Sequence, residues 1–530
     1  MIPDPLLSRR GFLRTVATGT AALGAGVLLD ACGSSAKAIG GATTTPGTTA
    51  AGAPRRGGTL TAGLTGGSSS DTLDAQAGVN NVDFARMLQL YSPLVAFDSN
   101  AEPTLALAEE ITPNSDATVW TVRVKSGVTF SNGKPLTAED VMFSIRRIVS
   151  GKLPASSVLT SLDLAGMKKL DATTVRLPFR TPYASLVEAL AGVFNYFFII
   201  PVGYDPKNPV GTGPFVYKSF TPGVQSVFVR NPNYWEAGLP YVDEVVISDY
   251  ADSNSQLNAL QSGQADVVNL LSASVIGTVE SSGSKVVVST AGGFTPFTMR
   301  VDLPPFNDVR VRQAFRLIAD RPQMDKTVFE GLGTLGNDLF SIYDPEYDTS
   351  IRQREQNIDQ AKSLLRAAGH DGLTIELVTS DIAQGTLDVA QVFAQQAQAA
   401  NVTVKLRQVN VTEFYGPNYL QWQFAQDYWY FLDYLPQVSQ ATLPTSPFNE
   451  CHFDNPRYTA LYNEAVATLD KAKQTDIAHE MQMIDWTEGG YIIPYFPPVI
   501  DGHAAHVQGV APSKTGLSLN QYGFKSMWLS

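Results

Sequence analysis

A chain of 530 residues, 44% hydrophobic and 17% charged, carries enough apolar material for a large core and divides naturally into two or three compact units. It is too polar for a protein of many membrane spans, and its net charge of −12 excludes a nucleic-acid surface, which needs a basic patch. Only Cys32 and Cys451 occur, so no disulfide framework holds the fold together.

The chain opens on a targeting segment. Ser8-Arg9-Arg10-Gly11-Phe12-Leu13-Arg14 fits the twin-arginine export pattern. The apolar stretch over 15–29 is too short to span a bilayer and suits a signal-peptide core. Leu29-Asp30-Ala31-Cys32 closes it as a lipobox would, which predicts a cleaved signal over 1–31 and lipid attachment at Cys32. An uncleaved anchor is the alternative, and either outcome leaves the bulk of the chain outside the cytoplasm. Loss of 1–31 removes three arginines against Asp4 and Asp30, so the net charge moves from −12 to −13. Residues 32–56 are Gly, Ala, Thr and Ser with Pro46 and Pro54, too poor in bulky apolar groups to fold. They read as a tether with an end-to-end distance of roughly 27 Å, attaching the protein to the membrane through its lipid.

The folded body begins near Gly57. Alternation over 58–64 predicts a strand, and 82–90 a helix leading to Tyr91-Ser92-Pro93. Trp120-Thr121-Val122-Arg123-Val124 alternates strictly, as a half-buried strand does. Asn132-Gly133 is turn chemistry, Thr137 with Asp140 makes a capping box, and Val141, Ile145 and Ile148 give the following helix a buried face. Gly211-Thr212-Gly213-Pro214-Phe215 carries the chain from one unit into the next; its glycines permit unusual backbone angles and Pro214 stiffens the exit. Asn231-Pro232-Asn233-Tyr234-Trp235 and the turn Ser262-Gly263-Gln264-Ala265-Asp266 follow. Pro305-Phe306-Asn307-Asp308 enters a helix that ends near Asp320-Arg321. A strand over 373–380, a helix over 383–400 and a strand over 402–409 make a parallel crossover unit.

These ordered landmarks, above all the run Lys125-Ser126-Gly127-Val128-Thr129-Phe130-Ser131-Asn132-Gly133-Lys134-Pro135-Leu136-Thr137-Ala138-Glu139-Asp140-Val141, resemble the extracellular solute-binding proteins of the dipeptide, oligopeptide and nickel class, the capture subunits of ABC importers. The resemblance covers essentially everything after Gly57. It implies an α/β, two-lobed type II periplasmic-binding-protein fold with a hinge and an extra inserted domain. On that template the first lobe comprises 57–90, 212–290 and 508–530, the inserted domain 91–211, and the further lobe 291–507. It implies a monomer that captures a short peptide by hinge closure and docks on a membrane permease. A nickel complex, haem or oligosaccharide as ligand, or a surface receptor without transport, are the alternatives on the same fold.

Residues 422–436 concentrate aromatics around a carboxylate, which suits a ligand of mixed apolar and ionic character. The resemblance gives Asp433 the peptide ammonium, Tyr430, Phe431 and Leu432 a backbone edge for the peptide, and Trp429 and Tyr91 places on the cleft wall. Other motifs fail on context. Gly331-Leu332-Gly333-Thr334-Leu335-Gly336 has the dinucleotide pattern, but no strand precedes it and no helix follows. His503 and His506 lack a third metal ligand and read as surface histidines; His479-Glu480-Met481 lacks the second histidine of a zinc protease; Cys451 reads as a buried small hydrophobe. No nucleophile elbow or carboxylate pair asks for catalysis, as a secreted hydrolase would require, and no cofactor or metal is expected.

Overall fold

The computed structural model describes residues 53–78, 80–192 and 197–530. The expected signal peptide over 1–31, Cys32 and nearly all of the expected tether lie outside the described residues. No helix among the described residues is long and apolar enough to cross a membrane.

The first lobe is built on a seven-stranded sheet. At its centre Thr59–Thr65 pairs in parallel with Glu244–Tyr250 and with Val267–Val268. Gln225–Arg230 and Phe215–Thr221 extend one side antiparallel. On the other side stand Pro498–His503 and then Lys285–Thr290. The boundary expected at 507 therefore moves back: every residue of Pro498–His503 is buried, as a central strand covered on both faces must be. Buried Arg86 braces this lobe, 2.6 Å from Asp71 and 2.7 Å from Asp249. Desolvation pushes the Asp249 carboxyl up to about 6 despite that arginine.

The inserted unit carries a four-stranded antiparallel sheet, Ala108–Pro113, Val119–Val124, Thr174–Pro178 and Lys168–Lys169, under the helix Ala138–Ser150. The backbone N–H of Thr137 donates to Asp140 at 2.9 Å, completing the cap that its sequence announces. Val141, Ile145 and Ile148 all face its core.

The second lobe is a five-stranded sheet in the order Thr403–Gln408, Thr374–Thr379, Phe424–Gln426, Phe297–Met299, Tyr491–Ile492. Thr374–Thr379, the helix Thr386–Gln398 and Thr403–Gln408 form the expected parallel crossover. Asp338 lies buried between Arg321 and Arg354, 2.8 Å from each.

The Gly211–Pro214 segment and the Asn231–Trp235 segment turn out to be one clamp. Neither Gly211 nor Gly213 has a positive φ, so their value is close approach rather than unusual backbone angles. A Cβ on Gly211 would stand 2.1 Å from the Leu90 carbonyl oxygen, and one on Gly213 2.4 Å from that of Gln89. Gly213 N–H donates to Leu90, Asn231 donates through Nδ2 to the Gly213 carbonyl, and Trp235 reaches Ser92 at 3.3 Å. The outgoing and returning chains between the first lobe and the inserted unit are thus locked side by side. Gly333 and Gly336 also serve packing: Thr334–Leu335 pairs with Tyr495–Phe496, and a Cβ on Gly336 would lie 2.2 Å from the Ile493 carbonyl.

Candidate ligand cleft

A cavity of about 360 Å³ opens between the lobes. In open α/β sheets ligands sit beyond the carboxyl ends of the strands, and this cavity obeys that rule on both sides. Thr65 ends Thr59–Thr65 and Gly66 follows it, Ser253 follows Glu244–Tyr250, and Leu270 and Ser272 follow Val267–Val268. From the second lobe, Asp381 to Gly385 follow Thr374–Thr379, and Tyr428 to Tyr430 follow Phe424–Gln426. Ala291, Gly293, Pro497 and Pro498, on the two chain crossings between the lobes, close its floor.

The aromatic wall is held rigidly from behind. Trp429 exchanges both backbone hydrogen bonds with Phe294, at 2.7 and 2.8 Å. A Cβ on Gly293 would come within 3.0 Å of the Trp429 carbonyl, so the crossing strand needs glycine there. The indole of Trp429 donates to Glu450 at 3.4 Å and packs edge-on to Phe448. Asp427, fully buried, accepts from the Tyr415 hydroxyl at 2.6 Å, the Tyr419 hydroxyl at 3.1 Å and the Tyr428 N–H, and so fixes where Tyr428 stands. Tyr428 and Tyr430 meet edge to face, 5.4 Å between ring centres.

Hydrogen bonds bridge the lobes at the cavity: the Tyr430 hydroxyl donates to Asn81 Oδ1 at 3.2 Å, and Gln384 Nε2 to the Leu271 carbonyl at 3.2 Å. Helices begin at the cavity wall: Asn81–Leu90 behind its Asn80 cap, Ser253–Gln261 behind its Asp252 cap, and Thr386–Gln398 behind Gly385, a glycine cap with φ of 79° and no side chain. Asp381 lines the same cavity, half-buried, with no hydrogen bond or ion pair among the described residues. Desolvation, and then the charge of Asp388, raise its carboxyl above the ordinary value.

The residues expected to form the site part company here. Trp429 and Tyr430 line the cleft. Phe431 is fully buried and enters the core of the inserted unit, 5.3 Å from Phe97. Leu432 is buried, and its carbonyl accepts from Ser341 at 2.7 Å. Asp433, 4% exposed, faces a different cavity between the inserted unit and the second lobe. Tyr91 lies behind the cleft, its hydroxyl 2.8 Å from both the Leu73 carbonyl and the Tyr204 hydroxyl. The spread has a simple cause: beyond Trp429 the chain leaves the sheet and runs along the joint between units, so successive side chains enter different compartments. Asp381, Asn81, Gln384 and Tyr428 were not singled out in the sequence. For Asp381 a signal existed, its place just after the strand predicted over 373–380, at a carboxyl end.

The histidines do not form a centre. His503 is buried in its strand rather than on the surface, bonded to the Ala504 carbonyl at 3.0 Å, while His506 pairs with Asp266 at 2.9 Å. No cluster of three or more possible metal ligands occurs among the described residues. Cys451 is buried in the core of the second lobe.

The sequence profile of bacterial extracellular solute-binding proteins, family 5 middle, matches residues 102–448, well over half of the chain. The glutathione-binding protein GsiB of Escherichia coli K12 is 23% identical over 471 residues, covering 84% of this chain and 90% of that protein. The Helicobacter pylori periplasmic binding protein DppA, solved with the peptide STSA, superposes with a TM-score of 0.76 at 19% identity, covering 90% of this chain and 98% of that one. Staphylococcus aureus NikA, solved with Ni(L-His)2, gives 0.72 at 18% identity, covering 88% and 99%. These relatives bind solutes and are not enzymes. The chain belongs to the family 5 bacterial extracellular solute-binding proteins, the capture subunits of ABC importers.

Proposed function

We propose that this importer subunit captures a short peptide, or a solute with a peptide's layout of charges, in the interlobe cleft. The observation that carries this reading is a half-buried carboxylate, Asp381, with no partner among the described residues, sharing one 360 Å³ cavity with helix N-termini and an aromatic wall. A carboxylate removed from bulk water is a strong partner for an ammonium group. Helix N-termini carry partial positive charge and offer N–H groups, so they favour a ligand carboxylate. Tyr428 and Tyr430, with Trp429 held behind them, supply an amphipathic aromatic face for the body between those charges. The volume suits a ligand of a few residues. The ligands in the names of the three relatives, glutathione, the peptide STSA and a nickel–histidine complex, are all built from amino acids. Asp381 here takes the ammonium role that the resemblance had given Asp433.

Closure moves one lobe toward the other about the crossings at Ala291–Gly293 and Pro497–Pro498, and Tyr430 with Asn81 latches the closed form. The closed, monomeric protein docks on its permease, and a lipid on Cys32 keeps it at the membrane. Native mass spectrometry of protein from its own host, followed by calorimetry with di-, tri- and tetrapeptides, tests the reading. Released peptides, and binding weakened at least tenfold by N-acetylation of the peptide, are expected. A single non-peptide mass, or indifference to acetylation, overturns it. Labelled fatty acid incorporated by the native chain and not by Cys32→Ser tests the anchor.

A further inference from the structure

The cavity that receives Asp433 is a built compartment of about 300 Å³ at the joint between the inserted unit and the second lobe. Asp433 precedes the helix Tyr434–Ala441, yet its side chain does not cap that helix. Both of its carboxylate oxygens are buried without a hydrogen-bond partner. An ionised carboxylate in that state is costly, because burial removes its water and nothing replaces it. Three further carboxylates line the cavity: Asp344 and Glu346 from the second lobe, and Glu188 from the helix Leu186–Ala191 of the inserted unit. Asp344 is satisfied by the N–H groups of Tyr434, at 2.5 Å, and Glu346, at 2.7 Å. Glu188 uses one oxygen on Lys471 at 2.8 Å and leaves the other buried and unpartnered. Lys471 is the one cation among the lining residues, and its ammonium is shared with Gln474, also at 2.8 Å. Four carboxylates therefore share one ammonium, and the unpaired oxygens lie on both sides of the joint.

We propose that this cavity is a second binding site, separate from the interlobe cleft, for an aliphatic di- or polyamine whose ammonium groups pair with Asp433 and Glu188. The rest of the lining, with Leu435 and Pro436, gives an alkyl chain an apolar surface. No group of three or more possible ligands among the described residues is arranged for a metal ion, so the geometry favours an organic cation. Without a cation the compartment must hold protons instead. Burial, followed by the charges of Asp344, Glu188 and Glu346, raises the Asp433 carboxyl well above its ordinary range, while Lys471 opposes the shift. Burial and Asp344 push Glu346 up to about 8. Amine binding releases those protons, so affinity rises from pH 6 to pH 8 while the amine stays charged. A bound amine clamps the inserted unit to the second lobe.

Calorimetry of the full chain with 1,5-diaminopentane and with spermidine at pH 8 tests this, alongside Asp433→Asn, Glu188→Gln and the cleft variant Asp381→Asn. Saturable one-to-one binding is expected, weakened at least tenfold by either cavity variant, unchanged by Asp381→Asn and weaker at pH 6. Cooperative thermal melts of the variants establish that they are folded, and Glu188→Gln serves if Asp433→Asn is not. No saturable binding by the folded native protein overturns the site. So does binding that Asp381→Asn abolishes and the cavity variants retain, since the amine then occupies the cleft. Saturation by magnesium or calcium in place of either amine also overturns it.

Discussion

The cleft and the joint cavity each present a carboxylate that lacks a protein partner, and the contrast between them separates capture from storage of charge. Asp381 stands half-exposed at the carboxyl end of a parallel strand, alone except for Asp388, with helix N-termini on the same cavity. Asp433 is buried among three other carboxylates. A lone, partly hydrated carboxylate can stay ionised and exchange partners, whereas a buried carboxylate cluster exchanges protons unless a cation replaces them. The same fifteen-residue aromatic stretch feeds both places. Trp429 and Tyr430 wall the first, Phe431 pins the inserted unit, and Asp433 enters the second.

The largest effect that would break this division is at its pivot. Phe431→Ala removes a fully buried ring from the inserted unit's core and should cost about 3–5 kcal/mol, read from chemical denaturation. A small effect would mean that the stretch is not anchored there. Next, Asp381→Asn should weaken a ligand with a free amino group by about 2 kcal/mol, some thirtyfold by calorimetry, with little change in melting temperature. Equal affinity would remove Asp381 from the site.

The joint cavity predicts a pH dependence of opposite character to that of ordinary ion-paired carboxylates. The folded chain holds the Glu346 carboxyl up to about 8, against an ordinary value of 4.5. Between those values the folded state binds a proton that the unfolded chain has released, so stability present below pH 4.5 is lost as pH rises toward 8. Glu346→Gln removes that loss and should stabilise the amine-free protein at pH 8, relative to pH 5, on the order of 1 kcal/mol in denaturation curves. A flat difference between the two pH values would contradict it. The smallest change is Tyr430→Phe, which deletes the 3.2 Å latch to Asn81. It should weaken ligand binding by about 0.5–1 kcal/mol, a few-fold in Kd, without altering the joint cavity's amine affinity.

What the sequence determined by itself was everything carried by local chemistry and ordered spacing. The capping box at Thr137 and Asp140, the buried face of Val141, Ile145 and Ile148, and the parallel crossover from Thr374 to Gln408 were all legible, whereas Gly211 and Gly213 marked a crossing whose close packing against Gln89 and Leu90 only the fold reveals. Each legible feature depends on residue types spaced at the period of one helix or strand, and such patterns are written in the sequence. Only the tertiary structure decided which carboxylate faces which cavity. Residues 429–433 cross from a sheet into a joint, where no periodicity relates one side chain to the next. Asp381 becomes a cleft residue because strands distant in the chain align their carboxyl ends. Pro498–His503 joins the first sheet for the same reason, since pairing with Lys285–Thr290, more than two hundred residues away, is a fact of packing that no local pattern encodes.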